Sequence, residues 1–453
     1  MEYKGLVRRQ KEFFRTGKTR KPGFRIFYLG KLLRWMDENE ERILEAVKKD
    51  LGDSGAEEYQ NGIRMLRQEI QVTIRHLPLW MRPRKVPAHV SELSSVSYIG
   101  REPYGSVLVL TPWNDPFHLA VAPLIGAVGA GNCVVLTTSS YTVHTSSLIR
   151  NMIREVFPSC YVSAVTGGQE EREALLQETF DYVLFTGSPK AEHSREEQTS
   201  RGLSPVNLEL NGKSPCIVDE TADLRAAARR IVWNKFVHAG QTCAAPDYVL
   251  VQHSVRKRLV QYMMKQIQKM YGPKPLENES YPSIINQRHF NRICGLINER
   301  KVVYGGESDP DALRIEPTIM EGVTWDDAVM KEEIFGPVLP VMSYYDLSEA
   351  ADAVEAQSGV LAVYLFAKDK KREREILSEL TLHGEANSRR YVQLALPLEN
   401  RNARPYGRMS KYYGRAGFDL FSCEKKLSKR SALVENTFDT VFQNQLNMIK
   451  RWI

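Results

Sequence analysis

The chain has 453 residues, of which 42% are hydrophobic and 26% charged, with a formal net charge of +7 at pH 7. This length predicts two or three domains of a soluble globular protein, and the modest charge without a recognisable binding module argues against a nucleic-acid-binding protein. Six cysteines and nine histidines show no paired or metal-ligand spacing, which argues against a structural zinc site and indicates a reducing compartment.

Residues 1–80 are predicted to be helical, because apolar residues such as Ile43, Val47 and Leu51 recur at helical spacing among Glu and Lys. The first 25 residues are rich in Lys and Arg, which is compatible with a membrane-surface helix but favours a solvated basic helix face. The N-terminus has no signal-peptide core, and no segment approaches the roughly 20 apolar residues of a membrane span. We therefore expect a cytoplasmic protein.

From about residue 96, predicted strands alternate with predicted helices. The strands cover residues 96–99, 105–110, 133–136, 162–165 and 182–185, and the helices between them cover residues 123–131, 146–156 and 170–178. This alternation predicts a parallel, doubly wound sheet, in which ligands bind beyond the carboxyl ends of the strands. A second α/β unit begins near Pro205 and continues to about residue 385, including a buried strand at 360–366. The remaining tail is rich in Arg, Asn and Tyr.

Three segments carry side chains suited to chemistry on a carbonyl carbon. The string His238-Ala-Gly-Gln-Thr-Cys243 offers a thiol, Leu208-Glu-Leu-Asn-Gly-Lys-Ser-Pro215 offers the carboxylate of Glu209, and Thr111-Pro-Trp-Asn114 offers an amide. Each residue alone is compatible with a structural role, as a buried cysteine, a solvent-facing carboxylate or a turn residue. Together they supply a nucleophile, a general base and an oxyanion donor.

These residues stand in strings that resemble the aldehyde dehydrogenase superfamily, and within it the class 3 branch of dimeric enzymes. The resemblance covers most of residues 1–385. The matching strings are Thr111-Pro-Trp-Asn114, GAVGAGNCVVL at 126–136, Phe185-Thr-Gly-Ser188, Leu208 to Cys216, Gly240-Gln-Thr-Cys-Ala-Ala-Pro-Asp247 and Lys331-Glu-Glu-Ile-Phe-Gly-Pro337.

The resemblance implies an α/β fold with two doubly wound parallel-sheet domains and a small β oligomerisation arm. It implies a dinucleotide-binding domain at 1–84 and 104–207, and a catalytic domain at 208–387. An oligomerisation or bridging segment would cover 85–103 and 388–425, and a C-terminal tail would cover 426–453. A homodimer is expected. The last residues are too short to span a membrane, and docking on the partner subunit is favoured over membrane contact.

The resemblance also implies oxidation of an aldehyde to a carboxylic acid with NAD or NADP. The Cys243 thiolate would attack the aldehyde, the Asn114 amide and the Cys243 N–H would hold the oxyanion, and Glu209 would activate water to release the acid. The implied cofactor-binding residues are Trp113, Thr137, Gly168, Thr186, Gly187, Ser188, Glu333 and Phe335.

The chain departs from the family pattern at the cofactor site. Where the family has Lys-Pro-Ser-Glu, which binds the adenosine ribose, this chain has Thr137-Thr-Ser-Ser140, and Glu192 replaces a glycine. Loss of the family's glutamate removes a charge that would repel a 2′-phosphate, although no lysine remains at that position to favour NADP. The glycine loop expected near residues 405–414 is also altered. A divergent relative, acting as a scaffold, a ligand-binding protein or a residual thiol esterase, is therefore the alternative hypothesis.

Overall fold

The computed structural model describes residues 3–52, 56–86, 95–187, 206–210, 213–243, 245–356, 362–382, 391–394 and 413–430. Its helices are α1 (Tyr3–Arg15), α2 (Pro22–Glu38), α3 (Glu40–Leu51), α4 (Ala56–Trp80), α5 (His118–Ala130), α6 (Val143–Val156), α7 (Gln169–Leu176), α8 (Leu224–Phe236), α9 (Arg256–Tyr271), α10 (Gln287–Cys294), α11 (Ala328–Lys331), α12 (Leu347–Glu355), α13 (Lys370–Leu382) and α14 (Gly414–Leu420). None of these helices is both long enough and apolar enough to cross a membrane.

The strands form parallel sheets with antiparallel additions. They are β1 (Arg84–Val86), β2 (Ser95–Pro103), β3 (Ser106–Leu110), β4 (Cys133–Ser139), β5 (Val162–Gly167), β6 (Tyr182–Gly187), β7 (Val206–Leu210), β8 (Pro215–Val218), β9 (Tyr248–Gln252), β10 (Val302–Tyr304), β11 (Ser308–Asp309), β12 (Arg314–Ile315), β13 (Thr318–Glu321), β14 (Val338–Tyr344), β15 (Ala362–Phe366), β16 (Tyr391–Leu394) and β17 (Ser422–Arg430). The fold class predicted from the sequence, α/β with parallel sheets, is confirmed.

A five-stranded sheet has the order β5-β4-β3-β6-β7, and all its pairs are parallel. A seven-stranded sheet has the order β10-β13-β14-β9-β8-β15-β16 and is parallel except for β10. The strands β1, β2 and β17 form a separate antiparallel sheet, and β11 pairs with β12. Helices cover the parallel sheets, as expected for strands joined by crossover connections.

The core of the five-stranded sheet explains its sequence pattern. Both β3 and β4 are buried along their whole length, so their continuous apolar runs are those of strands covered on two faces. Every residue of α5 is buried against this sheet and its neighbouring helices. The sequence predicted that this helix begins at Pro123, but it begins at His118. The apolar segment before the proline is also buried and belongs to the helix.

Two features of the sheets position the residues singled out from the sequence. The parallel pairing of β6 with β7 places Thr186 opposite Glu209. In the larger sheet, β8 follows Glu209 closely in the chain and pairs with β9, which follows Cys243. The ends of two different sheets therefore bring the thiol and carboxylate segments towards each other.

Candidate active site

The thiol segment follows α8 through a tight turn, Val237–Gly240, which contains three successive residues with positive φ. Gly240 has φ +70°, and a Cβ atom there would lie 2.3 Å from the carbonyl oxygen of Gly336 and 2.8 Å from that of Lys235. Since both obstacles are backbone atoms, only glycine fits. The turn that precedes Cys243 therefore packs directly against the Glu333–Gly336 region.

Side-chain hydrogen bonds fix the same turn to other parts of the chain. The Gln241 amide donates to the carbonyls of His238 (3.1 Å) and Ser283 (3.0 Å), and its oxygen accepts from the Ile285 N–H at 2.9 Å. The Tyr59 hydroxyl lies 2.8 Å from His238 Nδ1. Cys243 itself is half-buried. The thiol is thus carried by a segment that is held on both sides and still reaches the surface of the site.

Asp247 joins the segments that carry Cys243, Glu209 and Glu333. Its carboxylate, only 3% exposed, accepts hydrogen bonds from the backbone N–H groups of Ser214 (3.1 Å) and Ile334 (2.9 Å). Its own N–H donates to the Ser214 carbonyl at 2.9 Å. Ser214 follows Glu209, Asp247 follows Cys243 and Ile334 follows Glu333. One carboxylate therefore sets the mutual position of base, nucleophile and cofactor segments.

Two buried lysines surround this carboxylate. Lys213 donates to the Val329 carbonyl at 3.2 Å and lies over the Tyr248 ring, 5.9 Å from its centroid. Lys235 is fully buried, and its ammonium group has no hydrogen-bond partner in the described part of the chain. Burial lowers the pKa of both lysines, that of Lys235 to about 8, although the negative charge of Asp247 acts to raise both values. Their charge compensates the buried carboxylate.

Replacing Lys235 with methionine is expected to change how stability depends on pH. The folded-state pKa of about 8 lies below the ordinary value of 10.5. Below pH 8 the ammonium group is buried in its charged form, which lowers the free energy of unfolding. Between these values the unfolded chain binds more protons, and stability rises with pH. We expect the free energy of unfolding to rise by about 2 kcal/mol from pH 7 to 9.5 through this group, a gain that Lys235→Met lacks.

Urea unfolding of wild type and Lys235→Met at both pH values measures this difference. Lys265→Met, at an exposed lysine of α9, is the matched control and should keep the wild-type pH dependence. Identical pH dependence in wild type and Lys235→Met would contradict the assignment of a strongly shifted ammonium group to this position.

Removal of the Asp247 carboxylate is expected to impair both stability and activity. Asp247→Ala leaves the Ser214 and Ile334 N–H groups buried without their acceptor, which costs about 3–5 kcal/mol of stability. Displacement of the three segments by about 1 Å would lower kcat/KM about 100-fold. Urea unfolding and steady-state kinetics measure the two effects. Asp311→Ala, at an exposed carboxylate, should remain within about threefold of wild type, and an equally active Asp247→Ala would contradict the positioning role.

The segment bearing Asn114 lies at the carboxyl end of β3 and reaches across to the other sheet. The Trp113 ring makes an edge-to-face contact with Phe335, with centroids 5.5 Å apart at 81°, and lies 5.6 Å from the His289 ring. Asn114 is largely buried. This aromatic contact brings the predicted oxyanion donor beside the segment that contains Glu333.

The backbone around Glu333 is held by an arginine. Arg292 donates to the Glu332 carboxylate at 2.9 Å and to the carbonyls of Glu333 (3.3 Å) and Ile334 (2.7 Å). Phe335 follows with φ +45°, a left-handed conformation that is rare for a side chain of this size. Such strain persists only where surrounding contacts enforce it, and here Arg292, Asp247 and Trp113 supply them. The backbone of the segment predicted to contact the nicotinamide is therefore fixed by these contacts.

The adenosine half differs from the sequence expectation in detail. Thr137 is only 2% exposed, and its hydroxyl donates to the Val109 carbonyl at 3.4 Å. Its own carbonyl accepts from the Thr111 hydroxyl at 2.6 Å. Thr137 is thus engaged in contacts between strands, and its cofactor contact stays a prediction.

The remaining predicted cofactor residues stand at strand ends. Gly168 follows β5 and donates its N–H to the Glu171 carboxylate at 2.8 Å, while Thr186 and Gly187 end β6. Ser188 and Glu192 lie outside the described residues, and the structure describes Glu209 through its backbone. The described residues predicted to bind the cofactor thus lie at the carboxyl edge of the five-stranded sheet, except for Glu333 and Phe335, which approach from the other sheet.

Sequence reasoning missed Asp247 and Lys235 as members of the site. Asp247 stands at the end of one of the strings quoted above, but its partners Ser214 and Ile334 are distant in the chain. Lys235 carries no motif, and only its burial reveals it.

Comparison with known proteins shows which family the chain resembles along its length. A profile of the "Aldehyde dehydrogenase family" matches residues 2–388. The chain is 38% identical over 428 residues to 4,4'-diaponeurosporen-aldehyde dehydrogenase of Staphylococcus aureus, covering 94% of this chain and 93% of that protein. It is 36% identical over 429 residues to the dimeric NADP-preferring aldehyde dehydrogenase of Rattus norvegicus, covering 95% of both chains.

The similarity extends to three-dimensional structure. The substrate-bound state of Staphylococcus aureus AldH superposes with a TM-score of 0.85 at 35% identity, covering 95% of each chain. Sequence and fold agree, and the resemblance seen in the sequence is confirmed. The chain is therefore a member of the aldehyde dehydrogenase family, an enzyme that oxidises aldehydes with NAD or NADP.

Proposed function

We propose that Cys243, Glu209 and Asn114 carry out the aldehyde oxidation in this chain. The observation that supports the proposal most is the Asp247 carboxylate, whose hydrogen bonds join the segments following Glu209 and Glu333 to the segment following Cys243. A structural role for Cys243 alone would not require the base and cofactor segments to meet beside it.

The reaction begins with addition of the Cys243 thiolate to the aldehyde carbon, which forms a C–S bond and moves the carbonyl electron pair onto oxygen. The Asn114 amide and the Cys243 backbone N–H donate hydrogen bonds to this oxyanion. When bound, NAD or NADP would supply the hydride acceptor, and Glu333 and Phe335 would hold its nicotinamide end, so that the carbon loses its hydrogen together with the electron pair of that bond. The carbon then remains attached to Cys243 as a thioester.

Hydrolysis of the thioester completes the cycle. Glu209 takes a proton from water as the water oxygen bonds to the acyl carbon. The C–S bond breaks, the thiolate of Cys243 leaves, and the carboxylic acid is released. The pairing of Thr186 with Glu209 across β6 and β7 supports this role, because it places the base segment beside the strand end assigned to the cofactor.

The proposal has three further parts: the oligomeric state, the location and the substrate class. We propose a homodimer, because the Rattus norvegicus relative is described as dimeric, and a cytoplasmic location. We propose apolar aldehydes, medium-chain, long-chain or aromatic, as substrates, by analogy with the class 3 branch that the sequence resembles.

A direct assay tests this function. Purified protein is mixed with hexanal, dodecanal or benzaldehyde and with NAD or NADP, and absorbance of the reduced cofactor is followed at 340 nm. We expect turnover with at least one aldehyde and formation of the corresponding acid. A folded protein that binds the dinucleotide by calorimetry but reduces none of it with this panel would contradict the proposed substrates.

A further inference from the structure

An arginine that the sequence did not single out occupies the adenosine half of the cofactor edge. Arg172 lies in α7, one turn after Gly168, and its Nη2 donates to the Thr111 carbonyl at 3.1 Å. Thr111 follows β3 and Arg172 follows β5, while β4 lies between these two strands. The guanidinium group therefore reaches across the carboxyl end of β4, where Thr137 and Ser140 replace the lysine and glutamate of the family.

The contact network ties this guanidinium group to that position. The Thr111 residue that accepts from Arg172 also donates its hydroxyl to the Thr137 carbonyl at 2.6 Å. Gly168 lies close to Ser140, since a Cβ atom built on this glycine would be 3.7 Å from the Ser140 hydroxyl oxygen. The arginine and the two substituted positions thus lie in one small region at the carboxyl end of β4.

The charge of Arg172 is not matched by the acidic residues around it. Glu171 accepts from the Gly168 N–H at 2.8 Å, and Glu173 accepts from the Gln169 side chain at 2.7 Å. Its Nε is buried and has no hydrogen-bond partner in the described part of the chain. Burial lowers the pKa of Arg172, but an arginine remains protonated at neutral pH. Arg172 is half-buried, and a cation that is partly desolvated and incompletely bonded is stabilised by an anionic ligand.

We propose that Arg172 binds the 2′-phosphate of NADP and gives this chain a preference for NADP over NAD. A guanidinium group presents paired N–H donors that match a phosphate, and loss of the family's glutamate at Ser140 removes the charge that would repel it. Arg172, in helix α7, thereby supplies the cation that the family places at the position of Thr137 in strand β4. This inference deepens the proposed function, because it assigns the cofactor that the same site prefers.

Binding of adenine nucleotides tests the proposal without any aldehyde. Wild type, Arg172→Gln and Arg172→Lys are titrated by calorimetry with 2′,5′-ADP and with 5′-ADP, which differ by the 2′-phosphate. We expect wild type to bind 2′,5′-ADP more tightly. Arg172→Gln should weaken this affinity about 10- to 100-fold and change that for 5′-ADP by less than about threefold. Arg172→Lys should retain part of the difference, since it keeps the charge.

A matched control is Arg154→Gln, at an exposed arginine of α6, which should bind both nucleotides like wild type. Equal weakening of both nucleotides in Arg172→Gln would overturn the proposal and leave Arg172 as a support of the Thr111 segment. Equal affinity of wild type for both nucleotides would also overturn it. This experiment measures binding and no turnover. A failure of the proposed aldehyde oxidation would therefore not change its result, and the two proposals are tested independently.

Discussion

The Cys243→Ala variant is expected to lose aldehyde oxidation by about 10⁴-fold or more in kcat, because the substitution removes the proposed nucleophile. Cys243 is half-buried on a turn fixed by Gln241 and Gly240, so removal of its sulfur leaves the main contacts of the turn intact. Cofactor affinity should therefore stay within about threefold of wild type. Steady-state rates at 340 nm and calorimetric titration with NADP measure the two quantities.

A second cysteine provides the control for this substitution. Cys160 is also half-buried but lies beyond α6, away from the proposed site. Cys160→Ala should keep the wild-type rate within about threefold. If Cys243→Ala kept more than a tenth of the wild-type rate, the thiol would not be the nucleophile, whatever the activity of the wild-type enzyme.

The Glu209→Gln variant is expected to separate the two halves of the reaction. Without a carboxylate to accept the proton of water, thioester hydrolysis should slow about 10²- to 10⁴-fold, and steady-state turnover with it. The first transfer to the cofactor does not need this base once the thiolate has formed. We therefore expect rapid formation of up to one reduced cofactor per site, followed by slow turnover, in a stopped-flow measurement at 340 nm.

The control for Glu209→Gln is Glu279→Gln, at an exposed glutamate, which should turn over like wild type. Slow first-turnover kinetics without a burst would show that Glu209 acts before the thioester forms, for example in removing the thiol proton. Unchanged steady-state turnover would remove Glu209 from the mechanism.

The alternation of apolar runs and helices was sufficient to predict the parallel sheets, because strands such as β3 and β4 are buried on both faces. The start of α5 was missed, since a proline was taken as the first residue although Pro123 lies inside the helix. The proposed domain boundary at residue 208 stays a prediction. It falls within β7, which pairs with β6 in the five-stranded sheet, so the strand carrying Glu209 bridges the two proposed domains.

The candidate site was predictable only where residues stand in recognisable strings. Cys243, Glu209 and Asn114 could be named in this way, whereas Asp247 acquires its role from backbone groups that the fold brings to it. Arg172 was missed for a related reason. Its position relative to Thr137 depends on the order of three strands, and local sequence contains no signal for that order.

The alternative of a scaffold or residual thiol esterase rested on the cofactor-site substitutions. The Arg172 guanidinium group donates to the carbonyl of Thr111, whose hydroxyl donates to the Thr137 carbonyl, and the family is shown by sequence and fold. The substitution at Thr137 therefore changes which dinucleotide we expect the site to prefer and does not argue against an enzyme.

The most direct measurement of the central claim is the mass of the enzyme during turnover. Glu209→Gln is mixed with hexanal and NADP, quenched in acid within the burst, and analysed by intact-protein and peptide mass spectrometry. We predict a hexanoyl group, removed by hydroxylamine, on the peptide that contains Cys243. An unmodified protein after the burst, or an acyl group on a different cysteine, would contradict covalent catalysis by Cys243.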